Sequence, residues 1–328
     1  MHSVISFAIK AVISTGLIWL ILFRIDTSDL LSHLGRISPY DFILPTGIFL
    51  VSAAIVAVRW QLVMRSFGEN RLYGPLVRVV FLSLLLNQAL PSTIGGDSVR
   101  AYYLRKTGST LGTALTCVLI DRIWALLCVV AMCLVSLPYL FFTYGSSNTM
   151  WMVILLVLLF ACGIISVFFL RFIPGSVTSR FGFIHTFLNA IQKNTNAFLD
   201  FRQSILLFTI SMIVQLLVSL TVFLLASSAG APLSLLNSLI LFQPVFLLSL
   251  IPISIGGWGV RESAAVLIFG LVGLSPVDSM TISVLLGVMM TIAGVLGGVI
   301  WVIGETLASI GWARQTFSSG AFSVKRTS

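Results

Sequence analysis

Two stretches of this chain set arginines and carboxylates beside residues that interrupt helices. LPSTIGGDSVR covers Leu90–Arg100, and IPISIGGWGVR covers Ile251–Arg261. They match at Pro91 and Pro252, Ile94 and Ile255, Gly95 and Gly256, Gly96 and Gly257, Val99 and Val260, and Arg100 and Arg261. A guanidinium presents forked donors that suit phosphate. Pro and Gly-Gly break a helix, and the N–H groups of a restarting helix favour an anion. Asp97 and Glu262 lie close enough in sequence to neutralise Arg100 and Arg261 when no ligand is present. A further charged pair, Asp121–Arg122, sits inside an apolar run. Together these types support binding of a phosphate-bearing group. The competing reading is structural: the arginines snorkel to an interface, and Asp121–Arg122 is a buried ion pair.

The elements that must position these residues are membrane helices. Of 328 residues, 58% are hydrophobic and 9% charged, and mean hydropathy is +1.09. A soluble domain carries about 25% charged residues, so this composition requires an integral membrane protein. Several runs approach the roughly 20 apolar residues that cross a hydrocarbon core as a helix, and the alternation of a membrane β-barrel is absent. Val4–Phe23 reads as a retained helix, because no small-x-small cleavage site follows it. The net charge of +9 fits basic cytoplasmic loops and attraction to anionic lipid. The basic residues are scattered, which excludes a nucleic-acid partner. Cys117, Cys128, Cys133 and Cys162 lie in apolar runs and read as small hydrophobes. With His2, His33 and His185 far apart, no metal site, disulfide or cofactor is expected.

Along the chain, helices are expected at Val4–Phe23 and Phe42–Met64, followed by a cytoplasmic connection, Arg59–Arg78, with four Arg and one Glu. Val79–Leu90 is too short to span and fits a re-entrant segment. Arg100, Arg105 and Lys106 follow it and belong on the same side, which a hairpin explains. Further helices are expected at Leu111–Leu137, Met150–Leu170 and Ser204–Ser227, with Pro138–Thr149 as an outer loop. Within Arg171–Arg202, Phe181, Ile184, Phe187, Leu188 and Ile191 recur at helical spacing, as in an interfacial or a linker helix. Leu235–Leu250 leads to the second Pro-Gly-Gly stretch, then come Ala264–Leu274 and Met280–Ile303. Gly287, Gly294, Gly297 and Gly298 in that last helix permit close packing. The second segment is either two full spans or one hairpin from the outside, so the charge count permits the two interrupted segments to enter from opposite sides, as in an inverted repeat, where such segments mark a transporter's site; coincidental Gly-rich loops are the alternative. Asp121 and Arg122 point about 100° apart, so they should face the bundle interior and bond to other segments, Asp97, Glu262 or a lipid phosphate being the candidates.

At these residues the chain resembles the lysylphosphatidylglycerol synthase transmembrane-region, or flippase-like, family. The residues are Asn87–Pro91 with Gly95-Gly96-Asp97 and Arg100, then Arg122, then Pro252 with Gly256-Gly257-Trp258-Gly259 and Arg261-Glu262. The resemblance implies a polytopic domain that moves amphiphilic lipids between leaflets. Larger members add a cytosolic aminoacyl transfer domain, for which the short tail after Ile303 leaves no room, so lysyl transfer is not expected.

The expected fold is an all-α membrane bundle of about seven or eight spans with two re-entrant segments. Residues 1–310 form a transport domain, and 311–328 form a disordered cytoplasmic tail. The expected location is a bacterial-type inner membrane with both termini cytoplasmic. The headgroup-binding set is Asn87, Pro91, Gly95, Gly96, Asp97, Arg100, Asp121, Arg122, Pro252, Gly256, Gly257, Trp258, Arg261 and Glu262, with no catalytic residue and no metal ligand. The partners are membrane lipids and a separate lipid-synthesising enzyme. With no Walker-type motif, scramblase-like or ion-coupled movement is expected. The rivals are a membrane transferase using Asp97, Asp121 and Glu262, and a non-transporting subunit. The charge count generates a topology test. In a cysteine-free background, an impermeant reagent outside the membrane should label a Cys placed at Gly145 and not one at Gly74; the reverse pattern overturns the orientation.

Overall fold

The computed structural model describes residues 37–89, 94–145, 147–169, 201–251 and 253–318, with residues 15 and 35. The expected first helix at Val4–Phe23 and the Arg171–Arg202 segment fall almost wholly outside these residues, as do Pro91 and Pro252. The described chain holds nine α-helices: α1 Ile43–Ser66, α2 Tyr73–Ala89, α3 Ile94–Lys106, α4 Leu111–Tyr144, α5 Asn148–Phe169, α6 Phe201–Ser228, α7 Leu235–Ser249, α8 Val260–Phe269 and α9 Pro276–Ser318. No strand occurs among the described residues.

Among the described residues, five helical stretches are long and apolar enough to cross a membrane: Pro39–Ser66, Leu111–Tyr144, Asn148–Ser166, Phe201–Ser228 and Pro276–Gly304. Val135, Phe142 and Leu155 on these helices are largely exposed, as a lipid-facing surface requires. The protein is a polytopic all-α membrane protein. The other four helices are shorter: α2 has 17 residues, α3 has 13, α7 has 15 and α8 has 10. At 1.5 Å per residue, α2 reaches only about 25 Å and falls short of a full crossing. It packs on α3, and α7 packs on α8, so each motif sits in a helix pair.

Three boundaries differ from the sequence expectation. The last turns of α4 run through Pro138 to Tyr144, where an outer loop was expected. Proline's φ fits a helix and removes a single bond, and apolar residues continue past it. The first turn of α3 begins at Ile94, before the Gly-Gly pair instead of after it. Finally, the connection expected to begin at Arg59 begins only after Ser66, and Arg59 is buried within α1. The connection to α2 is only residues 67–72.

The packing repeats itself. Arg100 and Arg261 are 161 residues apart, and the same offset carries α1, α2, α3 and α4 onto α6, α7, α8 and α9. Contacts follow that correspondence. As α1 packs on α2, so α6 packs on α7; the α3–α4 contact is matched by α8–α9, and α2–α9 by α7–α4. The pairs α1–α9 and α1–α4 likewise answer α6–α4 and α6–α9. At the centre, α1 and α6 pack on each other and run antiparallel. Gln203, early in α6, donates to Ser66 near the end of α1, whereas Ser211 accepts from Arg59 further back. The two halves are inverted copies.

Glycines of α9 let it pack closely on α2. A Cβ added to Gly294 would lie 2.9 Å from Leu85 Cα, and one on Gly297 would lie 2.6 Å from the Phe81 carbonyl oxygen. Both neighbours are backbone and cannot swing aside. Gly294→Ala and Gly297→Ala should each destabilise by about 1–3 kcal/mol through overpacking. Gly163→Ala in α5, with open space around it, should be neutral or stabilising. Thermal unfolding in detergent checks this contrast.

Candidate functional site

Asp121 sits mid-α4 with no exposed surface. A carboxylate there persists only with paired charges, and two arginines supply them. Arg59 of α1 donates through Nε to Oδ1 at 2.8 Å and through Nη2 to Oδ2 at 3.3 Å. Arg100 of α3 donates through Nη2 to Oδ2 at 2.8 Å. Arg59 Nη1 also donates to Ser211 Oγ of α6 at 3.0 Å. One side chain thus ties α4 to α1 and α3, and through Arg59 to α6.

Arg122 points away and grips Asp97 with Nε and Nη2, at 2.9–3.0 Å. Asp97 was one of the partners expected for it. The expected pairing of Asp97 with Arg100 is present as an ion pair at 3.9 Å, but Asp121 lies nearer, at 2.8 Å. The i,i+3 neighbour is thus outdone by a carboxylate on another helix. In the second motif the expected pairing also forms. Arg261 Nη2 donates to Glu262 Oε1 at 2.7 Å, and Nε donates to Ser283 Oγ of α9 at 3.2 Å.

The glycines do different work from that expected. Gly96 donates its N–H to Asn87 Oδ1 at 2.9 Å and accepts from Ser83 Oγ at 3.0 Å. A Cβ at Gly96 would meet Asn87 Oδ1 at 2.6 Å and the Ser83 carbonyl at 2.7 Å. Gly96 therefore welds α3 to α2, and its N–H is not offered to a ligand. At the start of α8, Glu262 Oε2 accepts from the Gly259 N–H at 2.6 Å, placing a carboxylate where an anion was expected. Gly256, Gly257 and Gly259 have φ of 57°, 81° and 84°, a region open to Gly and strained for other residues. That path brings Gly256 against the carbonyls of Asn87 and Gln88, so the tip of one helix pair touches the other.

The two motifs share one cavity of about 240 Å3. Arg59, Arg100, Asp121, Arg122, Gly256 and Arg261 line it, with Asn87 and Gln88. The Arg100 guanidinium carbon lies 4.4 Å from the Trp60 ring centre, and that of Arg261 lies 4.9 Å from Trp258. Each repeated arginine thus lies against an indole. Two polar atoms in the wall, Arg100 Nε and Gln88 Oε1, are buried without a partner among the described residues. Gly95 is buried within α3 and is not among the lining residues.

Arg59, Trp60 and Gln88 escaped the sequence reading. The signal for Arg59 was present: it lies inside an apolar run, where an ion needs a counter-charge. Gly287 also had a role beyond helix packing, since a Cβ there would lie 2.6 Å from the Trp258 ring. Among the described residues no group of three or more His, Cys, Asp or Glu is placed to hold a metal.

A family profile described as the lysylphosphatidylglycerol synthase transmembrane region matches residues 7–298. The chain is also similar to a UPF0104 membrane protein of Methanothermobacter thermautotrophicus, 30% identical over 107 residues. That match spans 33% of this chain and 29% of the relative's length.

The arrangement ranks the ion pairs. Asp121→Asn should cost about 3–5 kcal/mol by leaving two buried guanidinium groups short of charge. Asp97→Asn should cost about 1 kcal/mol or less, because its side chain and that of Arg122 are 22% and 31% exposed. Thermal unfolding of the two purified variants reads the difference.

Proposed function

The chain belongs to the lysylphosphatidylglycerol synthase transmembrane-region family, and from that membership and the shared cavity we propose that it moves a phosphate-bearing lipid between membrane leaflets. One observation carries the reading. Arg100 and Arg261, the matched arginines of two inverted helix pairs, face the same cavity. A polar site between inverted, interrupted segments is the arrangement of a carrier that binds its cargo near the membrane midplane. Buried guanidinium groups suit the phosphate of such a cargo.

The transferase reading needs a carboxylate free to act as a base. Asp97, Asp121 and Glu262 are each held by arginine, which supports binding over group transfer. The reading includes an inner membrane, both termini in the cytoplasm and a separate enzyme supplying the lipid; the orientation rests on the Lys and Arg of the loops. Movement down a gradient or coupled to an ion fits a sequence with no Walker-type phosphate loop.

Purified protein in liposomes should move labelled phospholipid without nucleotide or tRNA. Arg100→Lys and Arg261→Lys should slow that movement, because a point charge replaces a planar fork. The Gln variants should slow it by roughly ten- to a hundredfold, the worth of one charged hydrogen bond. Wild-type rates in all four variants, or covalent modification of the lipid without movement, would overturn the reading.

A further inference from the structure

Arg261 is held against α9 by shape as well as by bonds. Ser283 Oγ accepts from its Nε at 3.2 Å, and Met290 Sδ lies 3.8 Å from its Nη1. Gly287 stands between these two contacts. Positions 283, 287 and 290 share one face of a helix, so a single stripe of α9 receives the whole guanidinium. A Cβ added to Gly287 would lie 2.6 Å from Trp258 Cη2 and 2.9 Å from Cζ2, and closer still to Arg261 Nη2. The Trp258 ring centre is 4.9 Å from the Arg261 guanidinium carbon. The stacked pair therefore sits in the gap where α9 has no side chain.

The other half shows what this gap replaces. At the 161-residue offset, Trp258 and Ser283 correspond to Asp97 and Arg122, which join α3 to α4 through an ion pair. Trp258 and Ser283 can form no such pair, and residue 126, the counterpart of Gly287, is Leu. Where the first half uses opposite charges, the second lets an indole and a guanidinium enter a notch in the long helix. A notch walled by backbone fixes depth tightly, because nothing in it can rotate aside. Seven residues on, the same stripe reaches Gly294, which meets Leu85 of α2. One face of α9 thus sets α8 and α2 in register.

Resting on the reading of Arg261 as a cargo-binding group, we propose that Gly287 is a positioning residue, its missing side chain being the socket that fixes how far Arg261 reaches into the cavity. Arg261 is about 4% exposed and lines that cavity, so moving the stack moves a buried charge. An Ala at this place could put its methyl only into the indole edge or the guanidinium. Either displacement strains the bond from Nη2 to Glu262 Oε1, which is 2.7 Å long. A glycine inside a helix lowers stability relative to Ala, and here the gap is what it provides. Gly287 acts on cargo only through its two neighbours.

The test is a double-substitution cycle on the whole purified chain, in phosphatidylcholine liposomes carrying a trace of fluorescent phosphatidylglycerol. Gly287→Ala should slow movement of the probe about tenfold, the scale of one charged hydrogen bond. Trp258→Phe removes the ring edge that the methyl meets, so in that background the same substitution should cost about twofold or less. Gly294→Ala, on the same stripe but outside the socket, should lower the unfolding temperature equally in both backgrounds. Should Gly287→Ala not fold, recovery of folded protein by Trp258→Phe reads the same coupling, and failure to recover it overturns the proposal. A Gly287→Ala penalty equal in both backgrounds, or absent from both, also overturns it. If wild type moves no lipid while Gly287→Ala and Trp258→Phe are non-additive in unfolding temperature, the socket stands and the lipid-moving reading falls.

Discussion

A carboxylate sealed away from water holds the bundle's polar centre together. Asp121 could not be buried alone, since an uncompensated charge in such a place costs several kcal/mol. Its position dictates that arginines from α1 and α3 reach the same point. Arg59 in turn fixes Ser211 and so the antiparallel partner helix α6. Once these elements are tied, Arg100 is pinned by one nitrogen at the cavity wall. The helix pair carrying Arg100 is then drawn in and welded by Gly96 and Asn87. The buried pairing contributes less as net stability than as geometry: it sets where each guanidinium points.

The second half reaches a similar end by other means. Arg261 is held by its sequence neighbour Glu262, and by Ser283 on α9. No counterpart of Asp121 is needed, because residue 282, at the equivalent offset, is Ile. The halves are alike in helices and packing and unlike in charge at the cavity: there the first half brings Arg59, Arg100 and Arg122 with Asp97 and Asp121, and the second brings Arg261 with Glu262.

Much of this was legible in the chain. The low charge content and long apolar runs gave the membrane class. The doubled Pro-Gly-Gly-Arg pattern marked both helix pairs, and the isolated Asp121–Arg122 had to face inward. Other features resisted for physical reasons. Arg59 sits near a helix end that sequence hydropathy blurs, and nothing local reveals that its partner lies 62 residues on. The glycines were misread because Gly frees the backbone and also permits contact, and only the neighbours decide between the two. Gly96 proved to be a contact glycine, while Gly256 and Gly257 are turn glycines that also let the helix pairs meet.

One helix has no match at the 161-residue offset among the described residues. The described packing gives α5, Asn148–Phe169, neighbours in α4 and α7 but no equivalent in the other half. Among the described helices, α1, α4 and α5 are long enough to cross before α6 begins, an odd count that agrees with α1 and α6 running antiparallel. That count includes a helix that contributes no residue to the cavity wall. Its apolar sequence carries no charge, so its work is to count as one crossing, a parity element more than a structural one.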